Sequence, residues 1–160
     1  MINVTNMILD DLELLQDNLL EDFDGFWNFK TLKNELINEN SKYIIAKNDL
    51  NEILGFAGVW KAVDDVHITN IVVRKKLRKQ GIGSILLEKL IKISKDYNLH
   101  VDEQCSSLHN KINSITLEVN YKNTSAIKLY SKYGFKKVGI RKNYYNNTED
   151  AIIMTLNLML

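Results

Sequence analysis

The chain has 160 residues, of which 45% are hydrophobic, and its 21 basic and 20 acidic side chains leave a net charge of +1. This length suits one domain with a core of its own, and the near balance of charge argues against a general binder of nucleic acid or membrane surfaces. One cysteine excludes an internal disulfide, and three scattered histidines lack metal-ligand spacing, so we expect no metal site.

No apolar run approaches the roughly 18 residues of a membrane span, and acids rather than a basic signal segment lie near the N-terminus. We therefore expect one cytoplasmic domain over residues 1–160, with no membrane or nucleic-acid partner. In the first half of the chain, hydrophobic periodicity predicts two helices and four strands. The predicted elements are a strand at 2–4, a helix at 10–20, an acidic aromatic bend at 21–27, a helix at 31–37, and strands at 43–46, 53–60 and 65–73.

The last of these strands leads into a basic, glycine-containing loop. It ends on Ile71, Val72 and Val73, and helical periodicity resumes at Ile82 and continues to about residue 97. The first N–H groups of such a helix lack intrahelical acceptors, and glycine in the loop lets a ligand approach the backbone. The loop has a local charge of about +5, which favours an anion with several phosphates. Its cations are Arg74, Lys75, Lys76, Arg78 and Lys79.

Spacing excludes the two commonest glycine-loop sites. A P-loop requires Gly-x-x-x-x-Gly-Lys-Ser/Thr, which neither Gly81 nor Gly83 begins. A dinucleotide fingerprint requires a third glycine where this chain has Leu86. The pattern that remains is Arg78-x-x-Gly81-x-Gly83.

In the second half, residues 115–119 alternate as a strand, residues 123–133 form a helix that ends at Gly134, and strands follow at 137–141 and 151–158. A polar connection at 98–113 is long for a helix-to-strand link, and it is either a surface insertion or a contact loop. The order β-α-α-β-β-β-α-β-α-β-β predicts an α/β (α+β) fold in which helices pack on one mixed sheet.

The glycine-loop pattern resembles that of the GNAT N-acetyltransferases, and longer stretches resemble the ribosomal-protein-alanine N-acetyltransferases of that family. These stretches are 67–73, 115–135, 141–145 and 149–154, with a shorter likeness at 26–28. The resemblance implies the GNAT fold, with one central, mostly antiparallel sheet. The chain departs from the family at Asn120, where arginine is usual, at Lys122, where serine is usual, and near Lys75, where a proline is usual.

The resemblance also implies acetyl-CoA as co-substrate, with Glu118 as general base and Tyr130 as general acid toward the departing thiolate. Alternation puts Glu118 opposite the apolar face of its strand, where it could face a cleft. Acetyl transfer to an amine requires a base and stabilisation of the thioester oxygen, but no protein nucleophile. The implied coenzyme-binding residues are Ile71, Val72, Val73, Arg78, Lys79, Gln80, Gly81, Ile82, Gly83, Ser84 and Asn123.

The implied acceptor is the N-terminal alanine of a ribosomal protein, protein eighteen of the small subunit. An α-amine has a pKa of about 8 against about 10.4 for lysine, so its attacking form is roughly two hundredfold more abundant at neutral pH. Acidic clusters at 21–24, 64–65 and 149–150 are candidates for receiving a basic peptide, or are solvated surface. The alternatives are an acetyltransferase for a small-molecule amine or lysine side chain, and a non-catalytic acetyl-CoA sensor.

Overall fold

The computed structural model describes residues 1–16, 22–23, 28–97 and 111–159. The predicted order of elements is confirmed, and the strands reach one or two residues beyond most of the predicted ranges. The elements are β1 (Asn3–Asn6), α1 (Leu9–Leu15), α2 (Phe29–Ile37), β2 (Ser41–Lys47), β3 (Ile53–Lys61), β4 (Asp65–Val73), α3 (Ile82–Asp96), β5 (Ser114–Asn120), α4 (Thr124–Lys132), β6 (Lys136–Tyr145) and β7 (Glu149–Asn157).

The strands form one seven-stranded sheet in the order β1-β2-β3-β4-β5-β7-β6. The β4–β5 pair is parallel, whereas the pairs β1–β2, β2–β3, β5–β7 and β6–β7 are antiparallel. The predicted mixed sheet is therefore confirmed. The end of the predicted helix 10–20, most of the bend at 21–27 and nearly all of the connection 98–113 lie outside the described residues.

The chain divides into two compact units. The first comprises Met1–Trp60 and Thr69–Lys92, and the second comprises Lys61–Ile68 and Ile93–Leu160, so β4 contributes to both. In the part of the chain that the structure describes, no helix has the length and apolar character needed to cross a membrane.

The core of the first unit lies where α1 and α2 pack on the strands. Leu12, Leu15 and Leu32 of the helices are fully or almost fully buried against strand residues such as Ile45 and Phe56. Asn28 begins α2 as its N-cap, because its Oδ1 accepts a hydrogen bond from the Thr31 N–H at 2.9 Å. Apolar periodicity and a side-chain cap therefore explain this helix.

A tyrosine lies across the strands of the first unit. Tyr43 on β2 is paired with Gly58 on β3, and its hydroxyl lies 2.9 Å from the Thr69 hydroxyl on β4. A Cβ atom at Gly58 would lie 2.3 Å from the Tyr43 ring. Glycine is therefore required at position 58 for the ring to cross β3.

We expect Gly58→Ala to lower the free energy of unfolding by about 1–3 kcal/mol, since the buried Tyr43 ring must move to admit a methyl group. Gly139→Ala is the matched control, because its Cβ would meet only ordinary contacts, the nearest at 3.5 Å from Ile153. Urea unfolding of both variants measures the difference. Equal stability of the two would show that the packing of Tyr43 over Gly58 contributes nothing.

Burial raises the pKa of Tyr43 to about 12. Because the pKa is higher in the folded than in the unfolded chain, this tyrosine contributes stability that is complete below about pH 10 and is lost as the pH rises toward 12. The loss approaches about 3 kcal/mol. We expect Tyr43→Phe to make the fall in stability between pH 10 and pH 12 shallower, as followed by urea unfolding across that range. The exposed Tyr121→Phe is the control, and an equal slope in all three proteins would contradict the prediction.

The second unit confirms the alternation predicted for residues 115–119. Ile115, Leu117 and Val119 of β5 are buried, whereas Thr116 and Glu118 between them are only partly buried. Ala151 and Met154 of β7 add to the buried residues of this unit. The strand therefore turns one face into a core and presents Glu118 on the other.

Candidate active site

The predicted glycine loop lies in the first unit, between β4 and α3. A 3₁₀ turn at Lys75–Leu77 follows β4, and then Lys79 and Gly81 adopt positive φ angles of 61° and 87°. α3 begins at Ile82, and its first hydrogen bond runs from the Ile85 N–H to the Gly81 carbonyl at 3.1 Å. The N–H groups of Ile82, Gly83 and Ser84 therefore have no acceptor within α3, and this end of the helix suits an anion.

The cations of this loop differ in their surroundings. Arg74 forms an ion pair with Asp22, with Nε 3.2 Å from Oδ2, so its charge is balanced locally. Lys75, Lys76, Arg78 and Lys79 are exposed, and the Arg78 Nε–H donates to the Val73 carbonyl at 3.2 Å. Four of the five cations counted in the sequence are therefore exposed to solvent.

The candidate base lies in the second unit. Glu118 is on β5, opposite Ile153 of β7, and its side chain is 14% exposed. One oxygen, Oε1, accepts a hydrogen bond from Nη1 of Arg141 at 2.9 Å, and the backbone carbonyl of Glu118 accepts one from the Tyr145 hydroxyl at 3.3 Å. Residues of β6 therefore contact both the side chain and the backbone of Glu118.

A β-bulge in β6 explains why neighbouring tyrosines reach the same place. The pairing with β7 shifts between Arg141 and Tyr145, and Asn143 within the shift has a φ of 52°. Adjacent residues of a regular strand point to opposite faces, but the Tyr144 and Tyr145 rings meet edge to face at 5.0 Å. The bulge thus brings two aromatic rings beside Glu118.

The candidate acid, Tyr130, is in α4 of the same unit. It is 9% exposed, and its ring lies 5.9 Å from that of Phe135. Burial, with a smaller contribution from Tyr145, raises the pKa of Tyr130 to about 12. Its phenol is therefore protonated at neutral pH and able to donate a hydrogen bond.

Asn123, the last candidate for coenzyme binding, is the N-cap of α4. Its Oδ1 accepts from the Ala126 N–H at 3.1 Å, which satisfies one of the helix's unpaired donors. Its side-chain oxygen therefore has a structural role in the described structure.

Two departures from the family pattern converge on one carboxylate. The Asn120 amide donates to Oε2 of Glu149 at 2.5 Å, and the Lys122 ammonium pairs with Oε1 of the same residue. These bonds lower the pKa of Glu149. The side chains at both of these positions therefore bind Glu149.

The acidic clusters are largely occupied by contacts within their own units. Asp22 pairs with Arg74, and Asp65 accepts from the Ser114 hydroxyl at 2.5 Å. Asp150 accepts from the Lys142 ammonium at 2.7 Å and from the Asn143 N–H at 3.0 Å. Glu21 and Asp24 lie outside the described residues. These bonds favour a structural role for the clusters over capture of a basic peptide.

The predicted site residues are divided between the two units. Ile71, Val72, Val73 and the loop from Arg78 to Ser84 lie in the first unit, and Glu118, Asn123 and Tyr130 lie in the second. Sequence reasoning assigned no role to Arg141, Tyr144 or Tyr145, although the stretch 141–145 belonged to the resemblance. The described residues contain no group of three or more acidic, histidine or cysteine side chains able to hold a metal.

Comparisons with known proteins identify the family. The model of the acetyltransferase (GNAT) family matches residues 12–135. A Haemophilus influenzae protein named ribosomal protein bS18-alanine N-acetyltransferase is 34% identical over 137 residues, which cover 82% of each chain.

Solved structures give the same result. The Escherichia coli ribosomal-protein-S18-alanine N-acetyltransferase superimposes with a TM-score of 0.80 at 27% identity, over 100% of this chain and 96% of that one. A GNAT acetyltransferase from Elizabethkingia anophelis, solved with acetyl-CoA bound, has a TM-score of 0.68 at 25% identity over 98% of both chains. The chain therefore belongs to the GNAT family of N-acetyltransferases, and within it is related to the ribosomal-protein-alanine N-acetyltransferases.

Proposed function

We propose that this protein is a single-domain, acetyl-CoA-dependent Nα-acetyltransferase that acts on the N-terminal alanine of ribosomal protein bS18. Acetyl passes directly to the α-amine, with Glu118 as general base and Tyr130 as the acid at the leaving thiolate. The observation that carries the proposal is the mostly buried carboxylate of Glu118, in a chain 34% identical to a protein named for this activity.

The loop residues fit the coenzyme that the proposal requires. Positive φ angles at Lys79 and Gly81 turn the backbone into the start of α3, and exposed cations surround N–H groups without helical acceptors. We assign the pyrophosphate to Arg78, Lys79, Gln80, Gly81, Ile82, Gly83 and Ser84. The pantetheine and acetyl carbonyl are assigned to the backbone of Ile71, Val72 and Val73, and Asn123 is assigned a coenzyme contact. The coenzyme supplies the activated acetyl group.

Glu118 has the properties that proton removal from an ammonium requires. A carboxylate that is largely shielded from water interacts more strongly with an arriving cation than an exposed one does. An α-amine needs less help than a lysine, because its ordinary pKa of about 8 leaves more of it in the attacking form at neutral pH. A carboxylate base therefore suits an α-amine acceptor better than a lysine acceptor.

Tyr130 acts mainly through its hydrogen bond. Its pKa is raised to about 12, whereas a thiol has an ordinary pKa of about 8.5. Full transfer of the phenol proton to a thiolate is then uphill by about 5 kcal/mol. A neutral phenol that donates to the thiolate stabilises its developing charge without losing the proton.

Mass spectrometry of two basic peptides tests the acceptor. One peptide begins with a free alanine and contains no lysine, and the other has a blocked N-terminus and one lysine. With acetyl-CoA present, we expect an acetyl group on the first peptide alone. Acetylation of the second alone would make the protein a lysine acetyltransferase. If neither reacts although the coenzyme binds, the protein acts on a small-molecule amine or is a sensor.

A further inference from the structure

Arg141 reaches the candidate base from two strands away. It is paired with Ala151 of β7, and Ala151 is paired with Asn120 of β5, so two strand spacings, about 10 Å, separate its backbone from that of β5. Its guanidinium nevertheless lies 2.9 Å from Oε1 of Glu118. The side chain must therefore extend across β7.

The guanidinium is held on a second side. Its carbon lies 4.3 Å from the centroid of the Tyr144 ring, a cation–π distance at which the planar group can stack on the aromatic face. Tyr144 owes its position to the bulge of β6, which Asp150 fixes through the Asn143 N–H and the Lys142 ammonium. The Tyr144 ring and the Glu118 carboxylate thus hold the guanidinium of Arg141 in one orientation, although the side chain is largely exposed.

The Glu118 carboxylate is held by two residues of β6. Arg141 donates to Oε1, and the Tyr144 hydroxyl also forms a hydrogen bond with the Glu118 side chain. A carboxylate anchored in this way has fewer rotamers and a more fixed direction.

We propose that Arg141 is a positioning residue for the base: stacked on Tyr144 and bonded to Oε1, it holds the Glu118 carboxylate in the orientation that receives a proton from the α-ammonium of the acceptor. This inference rests on the proposed function, because it assumes that Glu118 removes the proton.

Three substitutions separate charge from hydrogen bonding. Arg141→Lys keeps the charge, Arg141→Gln keeps a donor without charge, and Arg141→Met keeps neither. We expect Arg141→Met to lower kcat roughly tenfold while the KM for acetyl-CoA stays within about twofold of the parent. Lysine and glutamine should each restore part of kcat, because each can still donate a hydrogen bond to the carboxylate. The control is Lys137→Met, which removes an exposed cation from the same strand.

The same substitution in a Glu118→Gln background distinguishes the two proposals. If Arg141 acts through Glu118, Arg141→Met should change the residual rate of Glu118→Gln less than twofold, with acetyl-CoA affinity and thermal unfolding as in the parent. A slow Glu118→Gln beside a normal Arg141→Met would overturn this inference and leave the proposed base intact. A normal rate in Glu118→Gln would overturn both. Equal losses from Arg141→Met in the two backgrounds would show that the arginine acts elsewhere.

Discussion

Replacing Glu118 by glutamine is expected to lower kcat/KM for an alanine-initial peptide by roughly 10²- to 10⁴-fold, the range usual for loss of a general base. The loss should be greatest at low pH, where most of the α-amine is protonated and needs the base. Acetyl-CoA binding should be unchanged, because glutamine has nearly the size of glutamate. Initial rates across pH 6–9, together with calorimetric titration of acetyl-CoA, measure both quantities.

Glu149→Gln is the matched control for this substitution. It removes the same charge from the same unit, but its carboxylate is already bonded to Asn120 and Lys122. We expect kcat to stay within about twofold of the parent, since surface ion pairs contribute little. A raised peptide KM in Glu149→Gln would indicate that Glu149 binds the acceptor peptide. A parent-like rate in Glu118→Gln would show that Glu118 is not the general base.

The second large effect is expected at Tyr130. Tyr130→Phe removes the phenol that we place at the departing thiolate and should lower kcat about 10- to 100-fold without weakening acetyl-CoA binding. The buried ring keeps its packing against Phe135, so thermal unfolding should shift little. Single-turnover rates and thermal unfolding of the same preparation separate the two effects.

Tyr133→Phe serves as the control, because Tyr133 lies at the end of the same helix. We expect it to retain the parent rate. The identity of the leaving group adds a further check: if Tyr130 donates to the thiolate, its loss should matter less for an acetyl donor whose thiol is more acidic. Equal losses with both donors would remove Tyr130 from the leaving group.

Local pattern was sufficient to predict most of the fold. The alternation of Ile115, Leu117 and Val119 placed Glu118 on the opposite face of β5, as found. The glycine loop was predicted because a β-branched strand, Gly81 and a periodic helix follow one another within a short stretch. Each of these features depends on neighbours in the chain, so the sequence carries the signal directly.

The surroundings of Glu118 could not be predicted in the same way. The contacts from Arg141 and Tyr145 span 23 and 27 residues of sequence, and they depend on the order of β5, β7 and β6 in the sheet. The bulge at Asn143 also has no clear sequence signal, because asparagine adopts a positive φ in many other settings. The predicted strand 137–141 accordingly ended four residues before β6 does.

The charge clusters show a related limit. Acidic residues counted along the chain indicated either surfaces for a basic peptide or solvated surface, but Asp150 and Glu149 form ion pairs with Lys142 and Lys122. A count along the chain cannot tell a paired carboxylate from an unpaired one, because pairing depends on side-chain positions in three dimensions.

The central claim is most directly tested by the N-terminus of the proposed substrate itself. Unacetylated ribosomal protein bS18 is incubated with the protein and acetyl-CoA, and its N-terminal peptide is then sequenced by mass spectrometry, with Glu118→Gln in parallel. We expect one acetyl group on the α-amine of the first alanine with the parent protein and almost none with the variant. An unmodified N-terminus, under conditions in which the protein acetylates lysine or a small amine, would contradict it.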